Sequence, residues 1–487
     1  HEASNEYSIN VKSLIGAGYS ARHSRYQVVD SDGSILESRK IDLNISELII
    51  NNIMLHGDTE GFNIPDSNIP TDEFPVKINR LIDSSDVRHK VSNNEKSFTA
   101  RGEKLNHHWP IFKKYKETGF GSIIRATLTL HQLCSSHCQY CSTIARNKID
   151  SISLEEAKSF VEELYFNQAE FNKNKFPEYN ALYNKSSGSD IRLKGLILSG
   201  GGQPNLWPHF EEFVEWLSEL DIELGLITNG FPKKVNDDVY KNFTWIRLSI
   251  TPEDASPHYL NGKFNNQYIP ENIKHNENIS FGLSYVYGAW TTNDILQRIK
   301  KTIDLWGMSY CRTLTDCNLT RSSQLQAHKT LADKLFELGY IDKEGNPNGK
   351  IFHQLKYHGT PEEGLELWDE GQCYLQVYNV FWDTTGHEEN GESFCYTCDS
   401  ITVLSEELTD GGISDSERRF NSSKWGTVTN KNVKILYSEK VKPYFDPRSL
   451  CSSCLFMKNN KFVKDLTLQK DFSNISVDEN VMHVNFP

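Results

Sequence analysis

Apolar residues along positions 123 to 316 recur in two alternating rhythms, which predict a parallel βα architecture. Short runs dense in Ile, Leu and Val read as strands: Ile123–Leu130, Leu193–Leu198, Ile222–Ile227, Trp245–Ile250, Ile279–Tyr287 and Met308–Leu314. Between them lie helical patterns. Ser153 followed by Glu156 predicts a capping box, and Leu154, Ala157, Val161 and Leu164 fall on one helical face. Further helices are predicted at Phe210–Leu220, Asp294–Trp306 and Ser322–Leu338, and the polar stretch Asn167–Asp190 reads as an exposed insertion. Six such units make a partial barrel, whose chemistry belongs at the carboxyl ends of the strands. Before it, Arg25–Ile41 reads as a hairpin turning at Asp32-Gly33, and Ser46–Leu55 as a short helix. After it, Gly345–Gly349 is a loop.

At 487 residues the chain has room for two or three cores. A 37% hydrophobic content argues for folded domains, and a net charge of −13 disfavours bulk binding to nucleic acid. No long apolar span and no signal-like start is present, which predicts a cytoplasmic protein with no membrane segment. The ten cysteines fall in close sets, pointing to metal in a reducing compartment rather than to disulfides.

The first set decides most. Cys134, Cys138 and Cys141 follow directly on the Ile123–Leu130 strand, at a spacing that lets one loop hold three irons of a four-iron cluster. No fourth cysteine follows nearby, so one iron stays open to a small molecule. Zinc with a distant fourth ligand is the alternative. One βα unit later comes Ser199-Gly200-Gly201-Gly202-Gln203-Pro204, where glycine permits positive φ and close approach of a ligand. Thr228 and Asn229 end the third strand and Ser249 lies near the end of the fourth. Each is also explained as a turn cap or a strand-end hydroxyl.

These features, in this order, resemble the radical S-adenosylmethionine (SAM) superfamily. The resemblance implies SAM on the open iron of a [4Fe-4S] cluster, with reductive cleavage to a 5′-deoxyadenosyl radical. It implies SAM contacts from the turn Ser199–Gln203, where Gln203 stands in place of the usual Glu. It implies others from Thr228, Asn229 and Ser249, with Tyr140 near the adenine. An external one-electron donor of the flavodoxin or ferredoxin type is implied as a partner.

The second set is Cys373, Cys395, Cys398, Cys451 and Cys454. Tyr374–Asp383 alternates and is followed by Gly386, which reads as a β-hairpin carrying thiols at its ends. The arrangement resembles the auxiliary-cluster modules called twitch or SPASM, implying a second [4Fe-4S] cluster. Five cysteines for four places leave one spare, and Cys398 is the expected one. Two zinc knuckles, at Cys395/Cys398 and Cys451/Cys454, are the alternative. The expected fold is therefore α/β: a partial (β/α)6 TIM-like barrel (121–340), an N-terminal α+β extension (1–120), a connecting segment (341–372) and a C-terminal auxiliary module (373–487).

Cys311 and Arg312 lie in the sixth strand and Cys317 just past its end. Cys311 reads first as a buried small residue, and Arg312 as a carboxylate clamp or a structural ion pair. Cys317 at a strand end suits a thiol that returns a hydrogen atom to a carbon radical, the chemistry of radical peptide epimerases. His107, His108 and His131 read as structural. The expectation is a maturase of a ribosomally made peptide, with epimerisation ahead of thioether or carbon–carbon cross-linking. Small-molecule dehydrogenation is a further reading; a two-cluster electron carrier would have no use for the Gly-rich turn.

Overall fold

The structure is a computed structural model describing residues 25–29, 35–40, 97–136, 138, 140–141, 143, 147–250, 269–316, 321–354, 372–384, 391–398, 424–442, 456–472 and 474–487. The chain divides into two compact units, His1–Pro75 and Val76–Pro487. In the first, Arg25–Val29 pairs antiparallel with Ile35–Lys40, as the Asp32-Gly33 turn predicts. The helix expected at Ser46–Leu55 lies outside the described residues.

In the second unit the six apolar runs become strands β1 (Arg125–Leu128), β2 (Gly195–Leu198), β3 (Glu223–Thr228), β4 (Trp245–Ile250), β5 (Ser280–Tyr287) and β6 (Tyr310–Thr315). They pair in parallel, in sequence order. The parallel run continues at both edges. β7 (Ile351–Gln354) adds to β6, and β8 (Asn379–Asp383) adds to β1 with Asn379 opposite Arg125 and Trp382 opposite Leu128. Beyond β8, β9 (Phe394–Tyr396) and β10 (Lys424–Thr429) complete the sheet antiparallel.

The predicted Cys373 hairpin is present, yet it is part of the main sheet. All five residues of β8 are buried, as befits a strand covered on both faces instead of one alternating between core and water. The first half of the predicted alternating stretch is a 3-10 turn, Tyr374–Val377.

Helices α1 (Trp109–Thr118), α2 (Leu154–Glu162), α3 (Gln168–Lys175), α4 (Pro177–Ser187), α5 (Phe210–Ser218), α6 (Asn293–Leu305), α7 (Arg321–Glu337) and α8 (Met457–Leu468) follow in chain order. The capping box of α2 is formed: Ser153 Oγ accepts from Glu156 N at 3.2 Å and Glu156 Oε2 from Ser153 N at 2.9 Å. Ile295, Leu296, Ile299 and Ile303 of α6 join Leu248, Leu283 and Cys311 in one core between sheet and helices. Each such side chain contributes about 1.5–3 kcal/mol on burial, so packing fixes the helix more than its own propensity does.

The segment 167–190 is helical over most of its length, and although half of its residues are exposed, Gln168, Ala169, Asn172, Phe176, Tyr179, Asn180 and Tyr183 are buried on its inner side. Its amides made it look solvent-facing, but three of them, Gln168, Asn172 and Asn180, serve buried backbone. Gln168 both accepts from Ile123 N and donates to Ile123 O at 2.8 Å, and Asn180 Oδ1 accepts from Ile191 N at 2.9 Å. Tyr179 and Tyr183 of α4 share a second core with α1, Cys373–Tyr378 and α8.

Residues 483–487 pack on the amino-terminal ends of the strands. Phe486 stacks edge-on against Trp245 and the Asn485 carbonyl lies against Gly195. Arg125 Nη1 donates to Pro487 O at 2.7 Å, and His483 meets Ser280 Oγ at 2.7 Å. The carboxyl ends carry the cysteine loop.

Candidate active site

β1 delivers the chain to Leu130, which accepts from Ile152 N at 3.1 Å; from Gln132 the backbone turns into the cysteine loop. The Gly-rich turn after β2 lies directly against that loop. Gly202 N donates to His131 O at 3.1 Å, Gln203 N to Leu133 O at 2.7 Å, and His131 Nε2 to Gln203 O at 2.7 Å. His131 thus ties the cysteine loop to the Gly-rich turn. Gly200 and Gly201 have positive φ, +96° and +27°. A Cβ on Gly201 would stand 1.8 Å from Gln132 Oε1, and one on Gly202 2.1 Å from Leu133 O. The turn's glycines therefore let the two loops meet closely.

Side chains stitch the same contact. Asn229 Nδ2 donates to Ser136 Oγ at 2.6 Å and lies 3.5 Å from Cys134 Sγ, which also receives Ser136 N at 3.4 Å. Thr143 Oγ1 lies 3.3 Å from Cys141 Sγ and 3.2 Å from Gly201 O. Gln203 is buried and spans both loops: its Oε1 accepts from Ser135 Oγ at 2.7 Å, and its Nε2 donates to Gly230 O at 3.2 Å. A glutamate there would set a carboxylate against the Gly230 carbonyl, which gives the amide at this position a physical reason.

The remaining predicted residues divide. Thr228 is buried, its hydroxyl facing Asn205 Oδ1 at 3.0 Å and Gly230 O at 2.7 Å, so it clasps the turn. Ser199 O accepts from Thr129 Oγ1 at 3.2 Å. Ser249, Ser284 and Arg312 stand in one row across β4, β5 and β6, on the sheet face opposite Cys311. Cys311 lies in the sheet–helix core, where burial pushes its thiol pKa up. Tyr140 stacks on Trp290, ring centroids 5.7 Å apart. Trp290 was not singled out from sequence; an aromatic in a loop reads as packing until another ring is found on it. Cys317, Cys451 and Cys454 lie outside the described residues.

Cys373 is buried in the second core, its Sγ 3.5 Å from Asn460 Oδ1 of α8, and burial with the neighbouring Cys398 pushes its thiol up to about 12. Cys398 packs against that same core, whereas Cys395 belongs to the sheet–helix core.

Among the described residues no three His, Cys, Asp or Glu side chains converge as ligands of a single ion. A cluster holds its thiolates on separate irons, so the sulfurs of one loop need not meet at a point. The first loop suits that role. Its thiols are partly exposed, and amide and hydroxyl donors already face Cys134 and Cys141.

No family model matches the sequence, and no curated protein matches it. Solved structures do show similarity. Streptococcus suis SuiB bound to the precursor peptide SuiA aligns at 11% identity, over 85% of this chain and 82% of that one, with a TM-score of 0.42. Native anSMEcpe with AdoMet and the Cp18Cys peptide aligns at 15% identity, over 71% and 84%, with a TM-score of 0.37. BtrN in complex with AdoMet and 2-DOIA aligns at 12% identity, over 65% and 88%, with a TM-score of 0.21. Overlap this faint says nothing about the chemistry of this chain, which rests on its own residues. Among the described residues no helix is long and apolar enough to cross a membrane.

Proposed function

We propose that the chain is a radical SAM enzyme acting on a peptidyl substrate. One observation carries the reading. A loop with thiols at 134, 138 and 141 leaves the carboxyl edge of a parallel sheet and is tied, through Asn229 and Gln203, to the Gly-rich turn and the end of β3. Cys134, Cys138 and Cys141 would hold a [4Fe-4S] cluster. When bound, that group supplies the electron for reductive cleavage of SAM to methionine and a 5′-deoxyadenosyl radical, which takes a hydrogen atom from the substrate.

The chain's own residues set the geometry. Asn229 holds Ser136 and so fixes the segment between the first two thiols, and Gln203 locks Ser135 to the end of β3. The row Ser249–Ser284–Arg312 offers two hydroxyls and a guanidinium on the inner face of the sheet, suited to a carboxylate or peptide carbonyl. The separate unit His1–Pro75, with its hairpin, is available to hold a peptide leader. Cys373 and its C-terminal companions would carry an auxiliary cluster.

Epimerisation is the reaction proposed. A Cα–H is removed by the adenosyl radical, giving 5′-deoxyadenosine, and the Cys317 S–H returns a hydrogen atom to the opposite face. The thiyl left behind regains an electron from the flavodoxin- or ferredoxin-type donor and a proton from water. Anaerobically reconstituted protein, given dithionite and SAM, should release 5′-deoxyadenosine; failure to do so overturns the radical SAM reading. With a candidate peptide in D₂O, one deuterium should enter at Cα with no other mass change. A two-dalton loss would mean cross-linking or dehydrogenation instead, and full turnover by Cys317→Ala would remove the thiol donor.

A further inference from the structure

Exposure alternates along β4, β5 and β6. Arg247, Ser249, Ser284 and Arg312 are partly exposed, while Leu248, Tyr285 and Cys311 on the other face are buried. A strand inside a parallel sheet is normally covered on both faces, so this period of two marks a hollow on the inner one. Two rows of side chains meet there. Ser249, Ser284 and Arg312 stand opposite one another, and the row nearer the strand starts is Arg247, Gly282 and Tyr310. Two residues along a strand span about 7 Å, so Arg247 lies that much deeper than Ser249.

The deeper row is built around the arginine. A Cβ on Gly282 would stand 2.2 Å from Tyr310 Cε1, so the Tyr310 ring lies across β5 toward β4. Stacking on Phe98 at 4.5 Å and on Phe352 at 5.8 Å holds it in that pose. The Arg247 and Arg312 guanidiniums both bear on the buried Tyr310 hydroxyl. On the other side, the Trp245 ring lies over Gly225 of β3 and 5.6 Å from Arg247 Cζ. Among the described residues no carboxylate comes within ion-pair distance of Arg247, and its buried Nε has no hydrogen-bond partner. Asp383 and Glu223 share this face of the sheet and are engaged elsewhere. Asp383 accepts from Gln132 at 2.9 Å, and Glu223 lies near Asn485, Lys194 and Lys104. A guanidinium keeps its charge and presents its donors as a rigid fork, which a planar carboxylate matches with two parallel hydrogen bonds.

We propose that Arg247, together with Arg312, binds the side-chain carboxylate of an acidic residue in the peptide substrate. This rests on the peptidyl reading above and names its substrate class: a peptide whose reacting segment carries Glu or Asp. The peptide backbone lies at the Ser249–Ser284 row, and the acidic side chain extends inward to the deeper arginine. The test uses the reconstituted full chain without reductant and two probes, N-acetyl-glutamate N-methylamide and N-acetyl-glutamine N-methylamide. Titration calorimetry should show the glutamate probe binding about tenfold more tightly than its amide twin, or better. Arg247→Gln should abolish that preference and Arg247→Lys should keep part of it, with a thermal melt of each variant separating lost binding from lost fold. Equal affinity for the two probes, no saturable binding, or a preference that survives in folded Arg247→Gln overturns the proposal. Displacement of the glutamate probe by SAM also overturns it, because the arginine then serves the carboxylate of SAM. Glutarate binding more tightly than the capped glutamate overturns the peptidyl source in favour of a free small acid. Release of 5′-deoxyadenosine by the wild type under dithionite reports separately on the radical SAM reading.

Discussion

The two cysteine regions solve opposite problems. In the first, three thiols occupy one short loop at the rim of the sheet, partly exposed and bordered by amide and hydroxyl groups. In the second, among the described residues, Cys373 and Cys395 are buried in different cores and Cys398 is partly open. The loop places its thiols by sequence spacing; the C-terminal region places them by strand parity and by helices far away in the chain. Contiguous thiols can be read from a sequence, whereas thiols sorted by a sheet need the register.

The contrast is broken most severely at the first loop. Under the proposed reaction, replacing any one of Cys134, Cys138 or Cys141 with Ala should reduce 5′-deoxyadenosine formation to background with little change in the melting temperature. Lys114 tests the other region. It is fully buried, and its ammonium reaches Gly121 O at 2.9 Å and Asn172 Oδ1 at 2.7 Å, with Ser122 Oγ beside them. Lys114→Met leaves these acceptors unpaired and should cost about 3 kcal/mol in denaturant unfolding. Asn229→Ala, which removes the tie to Ser136, should lower cluster occupancy or SAM cleavage by about 10- to 100-fold with little change in the melting temperature.

The smallest effect is one of pH. His108 is buried between Tyr183 Oη at 2.8 Å and Val484 O at 3.1 Å, and burial lowers its pKa from 6.5 to about 3. His483 is lowered to about 4, also by burial. The unfolded chain takes up these protons near pH 6.5 and the folded protein only below those lower values. Stability is therefore full above 6.5 and lost as pH falls through the interval. From pH 6.5 to 5 each histidine should cost up to about 2 kcal/mol, and His108→Gln should flatten the dependence measured by denaturant unfolding.

The strand positions were legible because an apolar run bounded by polar residues has few other outcomes; β4 occupies Trp245–Ile250, the very span predicted. The capping box of α2 was equally local. What escaped notice depended on distant partners. β8 joins β1 across more than half the chain, and Gln132 of the cysteine loop donates to Asp383 at the end of β8 at 2.9 Å. Gln168, Asn172 and Asn180 looked like surface amides because the backbone they serve lies elsewhere in the sequence. Asn229, expected beside SAM, also ties the cysteine loop to the end of β3 through Ser135 and Ser136, a contact no local pattern announces.

Asn485 to Pro487 act as a stopper at the starting ends of β1, β2 and β4. Under the proposed reaction, that covering leaves the opposite rim, beside the cysteine loop, as the side on which nucleoside and peptide would meet.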